Sequence, residues 1–292
     1  MIAPPSQPPK PHEPNEGRDR SFDPASYLAA VAGGAVPAAA TATGFPSVDL
    51  LLGGGLRPGD LVVLAGEAGA GKSALALGIM LRVASAGGQV AYLTGEMSAE
   101  RVFDRALAIE AQVRHDQLRN GTLDEGARSQ VALAAAKLRA HTPVIRQIPD
   151  GGVAALSDVL IEHLGTQLII VDPIQWLLSG EDALDEQVAR VARELKALAL
   201  HRSVALLAVT SVRAATRDRS DPRPRLDDLG ALGALKQHAD VVLGLFREEM
   251  YSDLRDVQGA AELHVLKNRN GSLGYADLYF YKESLRFEDV VD

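Results

Sequence analysis

The chain has no cysteine among its 292 residues, which excludes disulfides, thiolate metal sites and a cysteine nucleophile together. Its 7 histidines are scattered, with no pair at a helical metal-ligand spacing, so a structural metal is not expected. No apolar run reaches membrane-spanning length, and the longest, Leu168–Val171 with its flanks, is the size of a strand. The first residues lack a charged head followed by an apolar stretch, which argues against a secretory signal. Net positive charge is missing too: 30 basic residues face 38 acidic ones, for a net of −8. Any surface that contacts nucleic acid must therefore be local. What is present is a 47% hydrophobic composition, enough to bury a real core in one large domain or two small ones. A soluble, cytoplasmic protein without membrane association is expected.

Residues 1–24 hold seven prolines and almost no aliphatic side chains, and they predict a disordered tail. Residues 25–43 predict a short helix followed by a Gly/Ala/Pro-rich linker. Tyr27, Leu28 and Val31 share one helical face, suited either to the helix's own domain or to a neighbouring subunit. From residue 44 to 292 the pattern is that of one α/β domain. Apolar runs at Leu61–Ala65, Val90–Thr94, Leu168–Val171, Val204–Val209 and Val241–Phe246 alternate with helical patterns at Ser73–Ala84, Ala99–Ile109, Ala127–Ala140, Val153–Leu164 and Asp185–Leu200. Strands apolar on both faces and separated by helices predict a mostly parallel sheet covered on both sides. The end of the chain, Ala261–Lys267 and Tyr275–Tyr281 joined through Asn270-Gly271, reads as a β-hairpin.

The strongest chemical signal is Gly66-Glu67-Ala68-Gly69-Ala70-Gly71-Lys72-Ser73, a full G-x-x-x-x-G-K-[ST] between a predicted strand and a predicted helix. Glycines let backbone N–H groups converge on phosphate oxygens. Lys72 then reaches the β- and γ-phosphates, and the Ser73 hydroxyl serves Mg²⁺. ATP or GTP binding follows. The run ending at Asp172 supplies a carboxylate at the same strand edge, as a Walker B site requires, although such an Asp also simply marks strand ends. Glu96, just past Val90–Thr94, is placed to orient an attacking water if that strand neighbours the phosphate-loop strand. It equally fits a solvated glutamate favoured by a helix dipole.

Several segments together resemble the C-terminal motor domain of DnaB-type replicative helicases. They are Thr43–Asp49, Gly54–Asp60, the phosphate loop, Glu96–Glu100, Leu118–Gly121, Gln237–Asp240, Arg247–Glu249 with Tyr251, and Lys267-Asn-Arg-Asn-Gly271. The resemblance runs from about Thr41 to the C-terminus. It implies a RecA-like P-loop NTPase fold and a homo-oligomeric ring, usually a hexamer, with ATP and Mg²⁺ at each subunit boundary and single-stranded DNA in the channel. It assigns Lys72 and Ser73 the phosphate-loop roles, Glu96 the catalytic carboxylate and Asp172 the Walker B carboxylate. It makes Lys267 and Arg269 a pair sent across the boundary, Arg269 being the arginine finger. Without the resemblance both read as surface residues of the hairpin.

The departures bear on function. On this reading no counterpart of the family's N-terminal helical domain is expected ahead of the motor, and Thr210-Ser211 stand where the family usually has a phosphate-sensing Gln. The central DNA-contacting loop is reduced to Gly230-Ala-Leu-Gly233, of which only the Gly233 backbone N–H offers a phosphate contact. Residues 212–225 carry five Arg against two Asp, so Arg213, Arg217 and Arg219 are candidate contacts to a single strand, or a solvated loop. The reading is an ATP-dependent DNA helicase or translocase. The rivals are a RecA-like regulatory ATPase that acts on a protein partner, and a recombinase paralogue.

Overall fold

The computed structural model describes residues 23–34, 40–163, 165–212, 219–252 and 254–290. Arg213 and Arg217, most of the proline-rich tail and residues 35–39 of the linker lie outside the described residues. The chain divides into two compact units, 1–38 and 39–292. The first contains α1 (Pro24–Ala32), started by Asp23, whose carboxylate accepts the Ala25 and Ser26 amides, with proline in its first turn. No described helix is long and apolar enough to cross a membrane.

The second unit is built on a nine-stranded sheet. In chain order its strands are β1 (Leu61–Glu67), β2 (Gln89–Thr94), β3 (Val144–Gln147), β4 (Thr166–Asp172), β5 (Ala205–Val212), β6 (Val241–Arg247), β7 (Ala260–Asn268), β8 (Gly274–Tyr281) and β9 (Arg286–Asp289). Their spatial order is β3-β2-β4-β5-β1-β6-β7-β8-β9. The first six in that order run parallel, and β7, β8 and β9 each pair antiparallel with the strand before. The expected parallel core and C-terminal hairpin are both found. The short edge strands β3 and β9, each four residues long, carry too little periodicity to read from sequence.

The helices are α2 (Pro46–Leu51), α3 (Lys72–Ser85), α4 (Ala99–Ala111), α5 (His115–Asn120), α6 (Glu125–Ala140), α7 (Gly152–Glu162), α8 (Leu184–Arg202) and α9 (Ala234–His238). Alternation along β1 assigns its faces. Val62 and Leu64 join the core with Leu75, Ile79 and Met80 of α3, while Leu61, Val63 and Ala65 join the core with Val188, Val191 and Leu195 of α8. Helix α8 follows an i, i+3, i+7 rule for its buried residues, has Asp185 and Glu186 in its first turn and His201 and Arg202 in its last, and ends at Ser203 with φ of 52°.

At the amino edge of the sheet, the buried Asp240 ties strands and helices together. Its carboxylate accepts the Leu61 amide at 2.8 Å, the Lys196 ammonium at 2.6 Å and the Arg269 guanidinium at 3.1 Å. Burial pushes this carboxyl up, but Lys196, the Leu61 amide and Arg269 outweigh it, so it titrates below the ordinary carboxylate value. The stability it contributes is present above the unfolded-state carboxylate pKa and is lost as pH falls through the lowered folded value. Asp240→Asn should therefore destabilise at neutral pH by about 1.5–3 kcal/mol, the usual worth of hydrogen bonds to a charged group. In urea melts across pH, that gap should close below about pH 4. A gap that stays constant with pH would remove the charge from the account.

Candidate active site

Every parallel strand ends at the same edge of the sheet, and there β1 turns into the Gly66–Ser73 loop. Gly69 and Gly71 have φ of 84° and 98°, values that an L side chain adopts only under strain. Gly66 is needed for another reason, since a Cβ there would lie 2.9 Å from the Leu245 carbonyl of the neighbouring β6. The loop delivers the chain into α3, whose first turn carries Lys72 and Ser73 with no side-chain cap on its amides. Lys72 is buried and folds back so that Nζ donates to the Glu67 carbonyl at 2.8 Å. Burial pushes its ammonium below the ordinary value, while Asp172, Glu96 and Glu67 pull the other way.

Strand order decides what stands beside the loop. β4 pairs with β2 so that Asp172 lies opposite Thr94, and the Gly95 amide donates to the Asp172 main-chain carbonyl at 2.9 Å. The Thr94 hydroxyl donates to the Met97 carbonyl at 3.1 Å and accepts the Met97 amide at 3.3 Å. These bonds shape the turn that carries Glu96, which is exposed and close enough to Lys72 to act on its charge. Ser98 then starts α4 by accepting the Arg101 amide at 3.4 Å. Lys72, Ser73, Glu96 and Asp172 thus collect at one edge, on the α3 side of the sheet. β5 separates β1 from β4, so Glu96 comes from the second strand beyond β5 rather than from an immediate neighbour of β1.

Other residues complete this edge without having been singled out as site residues. Tyr92 is wholly buried in β2, and its hydroxyl donates to Asp172 Oδ2. Burial and the Asp172 charge push its phenol well above the ordinary value, so it is a permanent donor. A tyrosine in a run buried on both faces must find a partner for its hydroxyl, which was the available signal. Arg247, at the end of β6, donates to the Gly69 carbonyl at 3.1 Å, and the Tyr251 hydroxyl donates to Glu67, so both brace the loop. Trp176, the single tryptophan, packs against Gly95 closely enough that a Cβ there would come within 2.2 Å of its ring.

Lys267 and Arg269 stand elsewhere. Lys267 Nζ donates to the Lys236 and Ala239 carbonyls at 2.5 and 2.6 Å, closing the end of α9. Arg269 holds Asp240 and the Gln237 carbonyl, the latter at 3.0 Å, beside the first residue of β1. The phosphate loop begins five residues along that strand, roughly 17 Å away at about 3.3 Å per residue. Neither side chain serves the phosphate loop of its own chain.

The basic segment is largely satisfied internally where it is described. Arg219 pairs with both oxygens of Asp228 at 2.7 and 2.9 Å, and Arg223 with both oxygens of Glu262 at 2.7 and 2.6 Å. The Gly233 N–H donates to the Gly230 carbonyl at 2.9 Å, so the phosphate contact expected of it is already taken. Leu229 and Leu232 of the same loop are buried, which anchors it to the core. Thr210 is buried and accepts the Gln175 amide at 2.9 Å, leaving Ser211, opposite Gly66, as the exposed hydroxyl at the edge.

The donor set fits a small hard cation held together with phosphates. Ser73 and Asp172 offer oxygen ligands only, and no group of three or more His, Cys, Asp or Glu that could hold a metal alone occurs among the described residues. Mg²⁺ is usually bound in this way, by one or two protein oxygens plus substrate and water.

Comparison with known proteins agrees with the fold. The profile of the DnaB-like helicase C terminal domain family matches residues 40–289. The replicative DNA helicase DnaC of Bacillus subtilis is 30% identical over 255 residues, covering 85% of this chain and 56% of the relative. The replicative DNA helicase DnaB of Geobacillus stearothermophilus gives the same identity and coverage. The chain therefore spans about half the length of these relatives. Among solved structures, one isolated ATPase domain superposes with a TM-score of 0.83 at 21% identity, covering 94% of this chain and all of that one. A DnaB-like replicative helicase studied with primase also gives 0.83 at 21%, covering 93% of this chain and 69% of that one.

Gly71→Ala tests the loop. At φ of 98° an alanine costs about 1–2 kcal/mol, and its Cβ would stand 3.0 Å from the Phe287 ring, so the loop must shift. Binding of a fluorescent ATP analogue should weaken about tenfold or more, with each 1.4 kcal/mol worth tenfold, while far-UV circular dichroism stays unchanged. Unaltered affinity would show that this loop does not cradle the nucleotide.

Proposed function

The chain belongs to the DnaB-like helicase C terminal domain family, and from that premise we propose that it is an ATP-driven motor. In this reading it hydrolyses ATP with Mg²⁺ at the boundaries of a homo-oligomeric ring, a hexamer, and moves along single-stranded DNA in the cytoplasm. The convergence of Lys72, Ser73, Asp172 and Glu96 at one sheet edge carries the proposal. Residues 44–292 act as the motor, preceded by the 25–43 helix and linker and the 1–24 tail.

Lys72 and the loop amides hold the phosphates and neutralise charge as the γ-phosphate leaves. Ser73 and Asp172 hold the cation, which when bound adds further charge neutralisation. Glu96, exposed beside them, orients the attacking water. The separation of Arg269 from its own phosphate loop supports a role in trans: Lys267 and Arg269 complete the site of a neighbouring copy, with Arg269 as the finger. Arg269 is half exposed and would exchange Asp240 for the phosphate. The contacts to DNA fall to Arg213 and Arg217, since Arg219 is committed to Asp228.

That commitment, with the Gly233 N–H occupied, favours one rival: a RecA-like regulatory ATPase that acts on a protein partner without unwinding DNA. ATPase rates measured with and without single-stranded DNA separate the two. Stimulation supports the motor on DNA, and its absence together with no binding at low salt supports the rival.

Glu96→Gln should bind ATP normally and lose about 10²–10⁴-fold in turnover, and near-normal turnover would move the water-orienting role elsewhere. Arg269→Ala should lose roughly 10³-fold. Mixing it with Lys72→Ala subunits should restore activity at boundaries that join an intact loop to an intact finger. A co-assembled but inactive mixture would argue against the shared site. Affinity for single strands should fall with salt at a log–log slope of about −0.7 per contact. Replacing Arg213 and Arg217 by Ala should flatten that slope by about 1.4, leaving basal hydrolysis intact, and an unchanged slope would exclude both residues from the contact.

A further inference from the structure

The carboxylate assigned to the cation is held from one side by a single strand. β2 fixes the Asp172 main chain through the Gly95 amide, at 2.9 Å to its carbonyl, and fixes the side chain through the Tyr92 hydroxyl on Oδ2. The Ser73 hydroxyl, the other oxygen assigned to the cation, is near enough to the same phenol to act on its titration. Tyr92 has no solvent exposure, and Asp172 is nearly as buried. Oδ1 of Asp172 carries no side-chain hydrogen bond among the described residues. β2 and the turn after it therefore divide the labour, with Tyr92 in the strand facing the cation ligands and Glu96, four residues on in the turn, facing the place for water.

We propose that Tyr92 is a positioning residue for the cation subsite, holding Asp172 by one oxygen so that the other stays directed to the cation. A buried carboxylate with neither oxygen held can rotate about χ2, and each wrong orientation removes a ligand. A donor on Oδ2 removes that freedom before the cation arrives. Outer-shell partners of this kind orient the ligands, and their loss typically costs 10–100-fold in metal affinity. The competing account gives Tyr92 no role beyond filling β2's core position and satisfying its own hydroxyl. Because Phe keeps the ring volume, a single substitution separates the two.

The inference rests on the reading of the edge as an ATP and Mg²⁺ site, and the test keeps the two apart. Binding of a fluorescent ATP analogue to the full chain is titrated with MgCl2 for the wild type and Tyr92→Phe, and repeated in EDTA. The proposal expects the Mg²⁺ midpoint of Tyr92→Phe to rise about tenfold or more, with affinity in EDTA equal to that of the wild type. Coincident Mg²⁺ midpoints would overturn the role of Tyr92. So would an equal loss of affinity with and without Mg²⁺, which marks a merely structural residue. If the wild type itself binds equally well with MgCl2 and EDTA, the cation reading of the site fails first. Asp172→Asn provides the reference, since it should abolish the Mg²⁺ dependence that Tyr92→Phe only shifts.

Discussion

The organisation of this protein depends on β1 lying between β5 and β6, buried on both faces and hydrogen-bonded along both edges. A strand so enclosed cannot slip, because a one-residue shift would turn Val62 and Leu64 away from α3 and put Leu61 and Val63 in their place. Its fixed register sets where the chain leaves the sheet, and the Gly66–Ser73 loop can form only at that exit. Neighbouring strands are parallel, so their carboxyl ends reach the same edge. Asp172 and Glu96 arrive beside Lys72 because of this geometry, although they lie far apart in sequence.

The two edges of the sheet have opposite electrostatic tasks. The carboxyl edge gathers the loop's backbone amides, a partly desolvated ammonium and two carboxylates. The amino edge is closed. Asp240 there takes up Lys196, Arg269 and the Leu61 amide, and Lys267 caps the end of α9. If Arg269 acts on a neighbouring copy, its pairing with Asp240 keeps the guanidinium oriented until the boundary forms. The cost of moving it is modest because half of its side chain is already in water.

Charge in the segment after β5 illustrates how a count differs from a potential. Residues 212–225 sum to a local excess of positive charge, yet two of the five arginines are neutralised at short range by acids from other elements, Asp228 and Glu262. Glu262 sits on β7, some forty residues away, and its pairing with Arg223 depends on the strand order beyond β6. The Arg223–Glu262 pair, two N–H groups on two oxygens, is geometrically specific and ties Arg223 to the sheet.

By itself the sequence determined the elements that rest on local periodicity: the five apolar strands, the long helices, the hairpin and the phosphate loop between β1 and α3. It also singled out Lys72, Ser73, Glu96 and Asp172 by residue type and position at element ends. It did not determine their company. Short β3 and β9 lacked periodicity. Tyr92 was one residue within an apolar run, Arg219 and the Gly233 N–H read as candidate DNA contacts, and Lys267 and Arg269, apart from the family resemblance, read as surface residues of the hairpin. Those outcomes were decided by the tertiary structure, for a physical reason. Local sequence specifies which face of a strand or helix is apolar. Which hydroxyl meets which carboxylate depends on strand order and register, set by burial of the whole sheet. Tyr92 and Asp172 are eighty residues apart and meet only because β4, rather than β1, lies next to β2.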